Sequence, residues 1–75
     1  MQTTFGMIAR ELAPKILTKI RSRGNQPTSK ADIGGWIREE RMGTGETASA
    51  ALAHLVLREL KAEAKITGQV EFRAA

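Results

Sequence analysis

The sequence predicts a mainly helical α+β fold, in which three helices precede a C-terminal β-hairpin. Three observations lead to this prediction: apolar residues recur at helical spacing in three segments, turn-forming residues separate these segments, and the period becomes alternating after residue 64. A chain of 75 residues has room for one small hydrophobic core, so we expect a single domain over residues 1–75.

The first helix is expected from residue 4 to about residue 23, with Thr4 as its N-cap. Its apolar residues form one stripe that keeps its phase on both sides of Pro14: Phe5, Ile8, Ala9, Leu12, Ile16, Leu17 and Ile20. Because proline disrupts a helix interior, the stripe fits one kinked helix or two abutting ones, with Pro14 on the outward side. Gly24 is expected to end this helix.

The second helix is expected to be short and to begin with a capping box. Residues 24–28 have the composition of a turn, after which Ser29 would cap the helix and Asp32 would reach back to its backbone. The apolar side of this helix consists of Ile33, Trp36 and Ile37. Gly34 and Gly35 each cost about 1 kcal/mol relative to Ala in a helix, so they either admit another helix closely or mark a poorly formed one.

The third helix, residues 46–62, lies in the longest segment of helix formers without Gly or Pro, and its two sides differ. The wide side is apolar and must be buried: Ala48, Leu52, Ala53, Leu55, Val56, Leu57 and Leu60. The narrow side is small near the N-terminus and basic near the C-terminus: Thr47, Ala50, Ala51, His54, Arg58 and Lys61. A helix with this outward side is suited to a nucleic-acid groove.

Residues 65–73 alternate between apolar and charged side chains, as in a half-buried hairpin. Gly68 and Gln69 fit a two-residue hairpin turn with Gly first. Because an isolated hairpin is only marginally stable, its apolar side should pack against the helices. That side consists of Ile66, Val70 and Phe72.

The net charge is +4 and the pI is about 10.1, which suits a polyanionic partner. The excess positive charge lies in the first half of the chain: the net charge is +5 over residues 1–38 and −1 over residues 39–75. Lys19, Arg21 and Arg23, near the end of the first helix, either complement the helix dipole or contact phosphate.

Several classes of protein do not fit this sequence. There is no Cys for a disulfide or thiolate metal site, and His54 has no metal-ligating partner at suitable spacing. No nucleophile with a base or pair of carboxylates is evident, so we expect neither catalytic residues nor a metal or other cofactor. No apolar run approaches the roughly 18 residues of a membrane span, and Arg10 and Glu11 interrupt the N-terminal apolar segment. We therefore expect no membrane association and a cytoplasmic location.

The order of elements and a set of individual residues resemble a known family. The residues are Ile20-Arg21, Gly24, Pro27-Thr28, Ala31-Asp32-Ile33, Ala50-Ala51, His54-Leu55 and residues 58–61. In these, the chain resembles winged helix-turn-helix domains, and most closely the N-terminal DNA-binding domain of the LexA repressor. The likeness covers roughly residues 13 to 73 and concerns residues that determine the fold.

The resemblance implies that helix 46–62 enters the major groove of double-stranded DNA and that hairpin 65–73 forms the wing. The residues that it places at the nucleic acid are Ser29, Lys30, Thr47, Ser49, His54, Arg58, Lys61, Lys65, Gln69 and Arg73. Ser29 and Lys30 would meet the phosphate backbone at a helix N-terminus, and Gln69 would occupy the tip of the wing.

Three features depart from the family. Ala50 and Ala51 stand where base-reading side chains would be expected, Glu46 would repel phosphate, and Glu63-Ala64-Lys65 stands in place of the glycine that usually precedes the wing. We therefore expect DNA binding that relies on backbone contacts and shape, with modest specificity.

The predicted function is that of a small DNA-binding protein, a transcriptional regulator or accessory factor of bacterial, phage or plasmid type. We expect a homodimer, because one module buries little surface. The alternative is a winged-helix module that binds a protein partner through the edge formed by Ala53 and Leu57 and the surface of the first helix. Leu57 is expected either in the core or at a dimer contact, and Glu59 is expected to pair with Arg10 or Lys19.

Overall fold

A computed structural model describes residues 4–24, 26–68 and 71–75. The elements, in chain order, are α1 (Thr4–Ser22), β1 (Thr28–Ser29), α2 (Lys30–Glu40), α3 (Glu46–Ala62), β2 (Ile66–Thr67) and β3 (Glu71–Ala74). The predicted α+β layout, mainly helical with three helices and a C-terminal β-hairpin, is confirmed and resembles that of winged-helix domains.

The hydrophobic core lies between α1, α2 and α3 and is closed by the hairpin. Ile16 and Ile20 from α1, Ile33 from α2 and Val56 from α3 are fully buried. Ile66 and Phe72 bring the two hairpin strands into the same core cluster. Leu57, with 5% of its surface exposed, also belongs to this core, so of the two roles considered for it the structure supports the core role.

Helix α1 is one continuous helix despite Pro14, whose side chain is exposed as predicted. The hydroxyl of Thr18 donates a hydrogen bond to the Pro14 carbonyl at 3.0 Å. The predicted N-cap, Thr4, is instead helical itself. Gly24 has a φ of +63° and its N–H donates to the Arg21 carbonyl, which ends the helix as expected.

The sheet contains a strand that the sequence did not reveal. Thr28 and Ser29, predicted as turn and cap, form β1 and pair with Phe72 and Glu71 of β3. The strand order is therefore β1-β3-β2, with all neighbours antiparallel. This pairing ties the start of α2 to the hairpin.

The hairpin register differs from the two-residue turn predicted at Gly68 and Gln69. That turn would place Thr67 opposite Val70, whereas Thr67 pairs with Arg73. The observed register sets Ile66 opposite Ala74, so that both apolar side chains face the core, while the predicted one would have set Ile66 opposite a glutamate. Residues 69 and 70, and hence the expected positions of Gln69 and Val70, lie outside the described residues.

Helix α3 ends in a Schellman motif built around a non-glycine residue. The Lys65 N–H donates to the Leu60 carbonyl at 2.9 Å, and the Ala64 N–H donates to the Lys61 carbonyl at 3.0 Å. Ala64 adopts a φ of +57°, the left-handed conformation that usually requires glycine. In the described part of the chain, no helix has the length and apolarity to span a bilayer.

Candidate nucleic-acid interface

The narrow side predicted for α3 faces solvent. Thr47, Ala50, His54, Arg58 and Lys61 are exposed, and Ala51 is half-buried. Because the opposite side of α3 packs into the core, this row cannot turn inward without unfolding the helix. It is therefore the surface that α3 offers to a partner.

A groove of about 490 Å³ runs beside the C-terminal half of this row, between α3, the start of α2 and β3. Its lining consists of Lys30, His54, Leu57, Arg58, Lys61 and Phe72. The floor is formed by Leu57 and Phe72, which are almost completely buried. The rim carries three cationic side chains and one imidazole, and no carboxylate is among these lining residues. Such a groove attracts an anion.

Two contacts arrange the basic side chains on the rim. The Nζ of Lys30 lies 3.4 Å from Nδ1 of His54, which joins α2 to α3 across the groove. Since an ammonium can only donate, this contact is favourable when Nδ1 carries no proton. The Nζ of Lys61 lies 6.0 Å from the ring centroid of Phe72, within the range of a cation–π interaction.

A second, smaller groove of about 290 Å³ lies along α2 and the N-terminal part of α3. Its lining consists of Lys30, Ala31, Gly34, Arg38, Glu46, Ser49 and Ala50. Lys30 belongs to both grooves, so they form one surface along α2 and α3. Small residues make up most of this lining, which also contains two cations, Lys30 and Arg38, and one carboxylate, Glu46.

Ser49 does not face DNA as the resemblance implied, because its side chain is fully buried. Its hydroxyl donates to the Glu46 carbonyl at 2.9 Å and accepts a hydrogen bond from Arg38 Nη1 at 2.8 Å. Ser49 lies outside the outward row that helical periodicity predicts, so the spacing alone indicated the correct side. Sequence analysis missed Arg38, whose guanidinium is held against α3 by this bond.

The capping box predicted at the start of α2 is present. The Ser29 hydroxyl accepts from the Asp32 N–H at 3.1 Å, and the Ser29 N–H donates to Asp32 Oδ2 at 3.0 Å. Ser29 is half-buried and its N–H and hydroxyl oxygen take part in the cap, so its predicted phosphate contact would have to use the hydroxyl hydrogen. Lys30, by contrast, is exposed and remains available at the same helix start.

Arg23 has a structural partner that sequence analysis did not identify. Its guanidinium donates to Asp32 Oδ2 at 3.1 Å and lies 5.8 Å from the ring centroid of Trp36. The Ser29 N–H, followed by the Arg23 guanidinium and the Ser29 hydroxyl, holds the pKa of the Asp32 carboxyl below its ordinary value of 3.8. Trp36 itself packs against the core, the packing role expected for it.

The wing residues are only partly brought to the groove. Lys65 and Arg73 are exposed, but neither lines the two grooves beside α3, and Gln69 lies outside the described residues. Lys65 lies 3.9 Å from Glu63 and lines a third cavity that faces α1. The structure therefore groups Lys30, His54, Arg58 and Lys61, and separates Lys65 from them.

Glu59 and Arg10 line the same cavity next to α1, but they form no ion pair within 4.0 Å. Glu59 forms none with Lys19 either. The ion pairs among the described residues are Lys15–Glu40, Arg23–Asp32 and Lys65–Glu63. The pairing expected for Glu59 is therefore absent.

The apolar edge predicted for a protein partner is buried. Ala53 is fully buried and Leu57 is a core residue, so neither contributes to an exposed apolar patch. In the described ranges, the exposed large apolar side chains are Phe5, Met7 and Met42, which lie in α1 and in the loop before α3.

Within residues 4–24, 26–68 and 71–75, no cluster of three or more His, Cys, Asp or Glu side chains is arranged to hold a metal ion. Comparisons with protein-family models, curated proteins and solved structures find no match to this chain.

Proposed function

We propose that this protein binds double-stranded DNA, with α3 in the major groove and the β2–β3 hairpin as a wing. The observation that carries the proposal is the groove between α3 and β3, which has Lys30, His54, Arg58 and Lys61 around it and no carboxylate among its lining residues. Clustered cations on one face are the electrostatic feature expected of a phosphate-binding surface.

The shape of α3 supports the same assignment. The major groove admits an α-helix, and the small side chains of Ala50 and Ala51 let the N-terminal half of α3 approach the base edges. Arg58 and Lys61, two and three turns further on, then lie at the level of the phosphates. We infer binding dominated by backbone contacts, with modest sequence specificity.

We further propose that the protein acts in the cytoplasm as a transcriptional regulator or accessory factor of bacterial, phage or plasmid type. A single module of this size buries little surface on DNA, so we propose a homodimer that occupies two half-sites. Because Leu57 is in the core, the dimer contact must use another surface.

The test is selection from a random duplex pool at about 50 and 200 mM salt, followed by affinity measurements on the recovered sequences. We expect binding that weakens steeply with salt. The double variant Arg58→Glu/Lys61→Glu should lower affinity by about 100-fold or more, because two phosphate contacts become repulsive.

The matched control is Arg10→Glu/Lys15→Glu, which changes the net charge equally on α1, away from the groove. Lys15 pairs with Glu40 at 3.6 Å, but an exposed pair of this kind contributes little to stability. The control should retain most of the affinity. If both double variants lost affinity equally, the loss would come from net charge and not from contacts in the groove. Absence of binding at low salt would overturn the proposal in favour of the protein-interaction alternative.

A further inference from the structure

We infer that the N-terminal half of α3 recognises the C5-methyl groups of thymine, so that the bound sequences are selected by apolar contact rather than by hydrogen bonds to bases. This inference rests on the proposed DNA-binding function. The observation behind it is that Thr47, Ala50 and Ala51, at positions i, i+3 and i+4, present methyl groups on the outward side of α3.

The polar groups in these first turns are either engaged elsewhere or poor at distinguishing bases: the exposed Thr47 hydroxyl can both donate and accept, so it discriminates little between them. The hydroxyl of Ser49 is buried and bonded to Glu46 and Arg38. Bidentate recognition of G or A requires Arg, Lys, Asn or Gln, and α3 carries none of these before Arg58. Glu46 is suited only to the amino group of cytosine.

The surroundings of Ala50 fit an apolar contact flanked by phosphates. Ala50 lines the second groove together with Ala31 and Gly34, whose small side chains leave that groove open over about 290 Å³. Lys30 and Arg38 line the same groove, and Arg38 is fixed by its 2.8 Å bond to Ser49. Lys30 and Arg38 outnumber Glu46, the one acidic residue of this lining, so these two cations would hold the DNA backbone while the methyl groups meet the base edges.

Thymine is the base that matches this strip. Its C5-methyl is the apolar group that the four bases present in the major groove, and alanine or the methyl of threonine is a known partner for it. Removing one buried methyl contact is expected to weaken binding by about fourfold.

The experiment compares duplexes that contain thymine with otherwise identical duplexes that contain deoxyuridine, which lacks the methyl group but keeps the same base pairing. A random pool is made in both forms, and single replacements are then scanned through each recovered site. We expect the uracil pool to bind less well, and about fourfold losses at one to three positions per half-site.

Thr47→Ser removes the methyl and keeps the hydroxyl, and it should abolish the uracil effect at one position while leaving the others. Thr18→Ser, the same change on α1, is the matched control and should preserve every uracil effect. If replacing thymine by uracil lowers the affinity of Thr47→Ser and of Ala50→Ser as much as that of the parent, the effect comes from DNA shape and not from methyl contact. That result would overturn the inference.

The two proposals fail in different ways. Salt-sensitive binding that is equal for thymine and uracil duplexes overturns methyl recognition and leaves DNA binding intact. Absence of binding to either pool at low salt overturns both.

Discussion

Among the residues that the structure describes, Ala64 is the non-glycine residue with a positive φ. At a φ of +57°, an L-residue with a Cβ is less stable by about 1–2 kcal/mol than in the right-handed region. We expect Ala64→Gly to raise the free energy of unfolding by about 0.5–1 kcal/mol, measured by urea denaturation, once the greater flexibility of unfolded glycine is subtracted. Ala62→Gly, inside the helix, should change stability in the opposite direction. A destabilised Ala64→Gly would contradict the strain assigned to this position.

Asp32 makes a contribution to stability that depends on pH. Its folded pKa lies below 3.8 because its carboxylate accepts from the Ser29 N–H and then from Arg23, so the charged form favours folding. This contribution is present above pH 3.8 and is lost as the pH falls through the lower folded value. We expect Asp32→Asn to unfold at lower urea than the parent at pH 7 and to approach the parent below pH 3.8.

Glu39→Gln removes one negative charge from the exposed side of the same helix and serves as the control for Asp32→Asn. The urea concentration at the midpoint of unfolding of Glu39→Gln should stay close to that of the parent at pH 7. If the two variants lost stability equally and kept a constant difference from the parent at every pH, the capping box would not be the source of the effect.

The candidate site was partly predictable at the residue scale. Helical spacing was sufficient to place Thr47, His54, Arg58 and Lys61 on the outward side of α3, since the period of a helix fixes which side chains share a face. Ser49 was assigned by resemblance against that spacing, and it is buried. Arg38 was missed because its role depends on the packing of α2 against α3, which no local pattern encodes.

At the scale of elements, α2 is a regular helix in spite of its two glycines. A Cβ on Gly35 would lie 3.9 Å from the nearest atom, the flexible Arg38 Nη2, which is an ordinary contact. We therefore expect Gly35→Ala to raise the free energy of unfolding by about 0.5–1 kcal/mol through helix propensity, measured by thermal and urea denaturation. Gly43→Ala, where φ is +91°, should instead destabilise. A loss of stability in Gly35→Ala would show that close packing requires this glycine.

The three helices followed from hydrophobic periodicity and capping residues, which act within a few positions of the chain. Strand β1 could not be predicted in this way, because two residues cannot show an alternating pattern and their partners, Phe72 and Glu71, are distant in sequence. The hairpin register was predicted from the turn residues, and this prediction was wrong. The observed register is the one in which Ile66, Phe72 and Ala74 all face the core. Burial determines this register, and a pattern of apolar faces would have indicated it.

At the scale of the whole molecule, the fold brings cations from separate elements to one surface. Lys30 comes from the start of α2, whereas Arg58 and Lys61 come from α3, and β3 supplies the floor between them. The sequence places most of the excess charge in the first half of the chain, yet part of that charge is used internally, as in the pair of Arg23 with Asp32. The distribution in space, unlike the distribution in sequence, therefore favours α3 and its neighbours as the surface for the proposed DNA binding.

This distribution predicts how salt should affect variants that remove one charge each. Neutralising a residue that contacts a phosphate lowers the slope of log affinity against log salt by about 0.9, whereas neutralising a distant cation leaves the slope nearly unchanged. We expect Lys30→Gln and Lys61→Gln to show the smaller slope and Arg10→Gln to keep that of the parent, measured by fluorescence anisotropy on one duplex. All three variants lose one positive charge. If all three showed the same smaller slope, the salt dependence would follow from net charge alone. A reduction confined to Arg10→Gln would move the DNA-binding surface from α3 to α1.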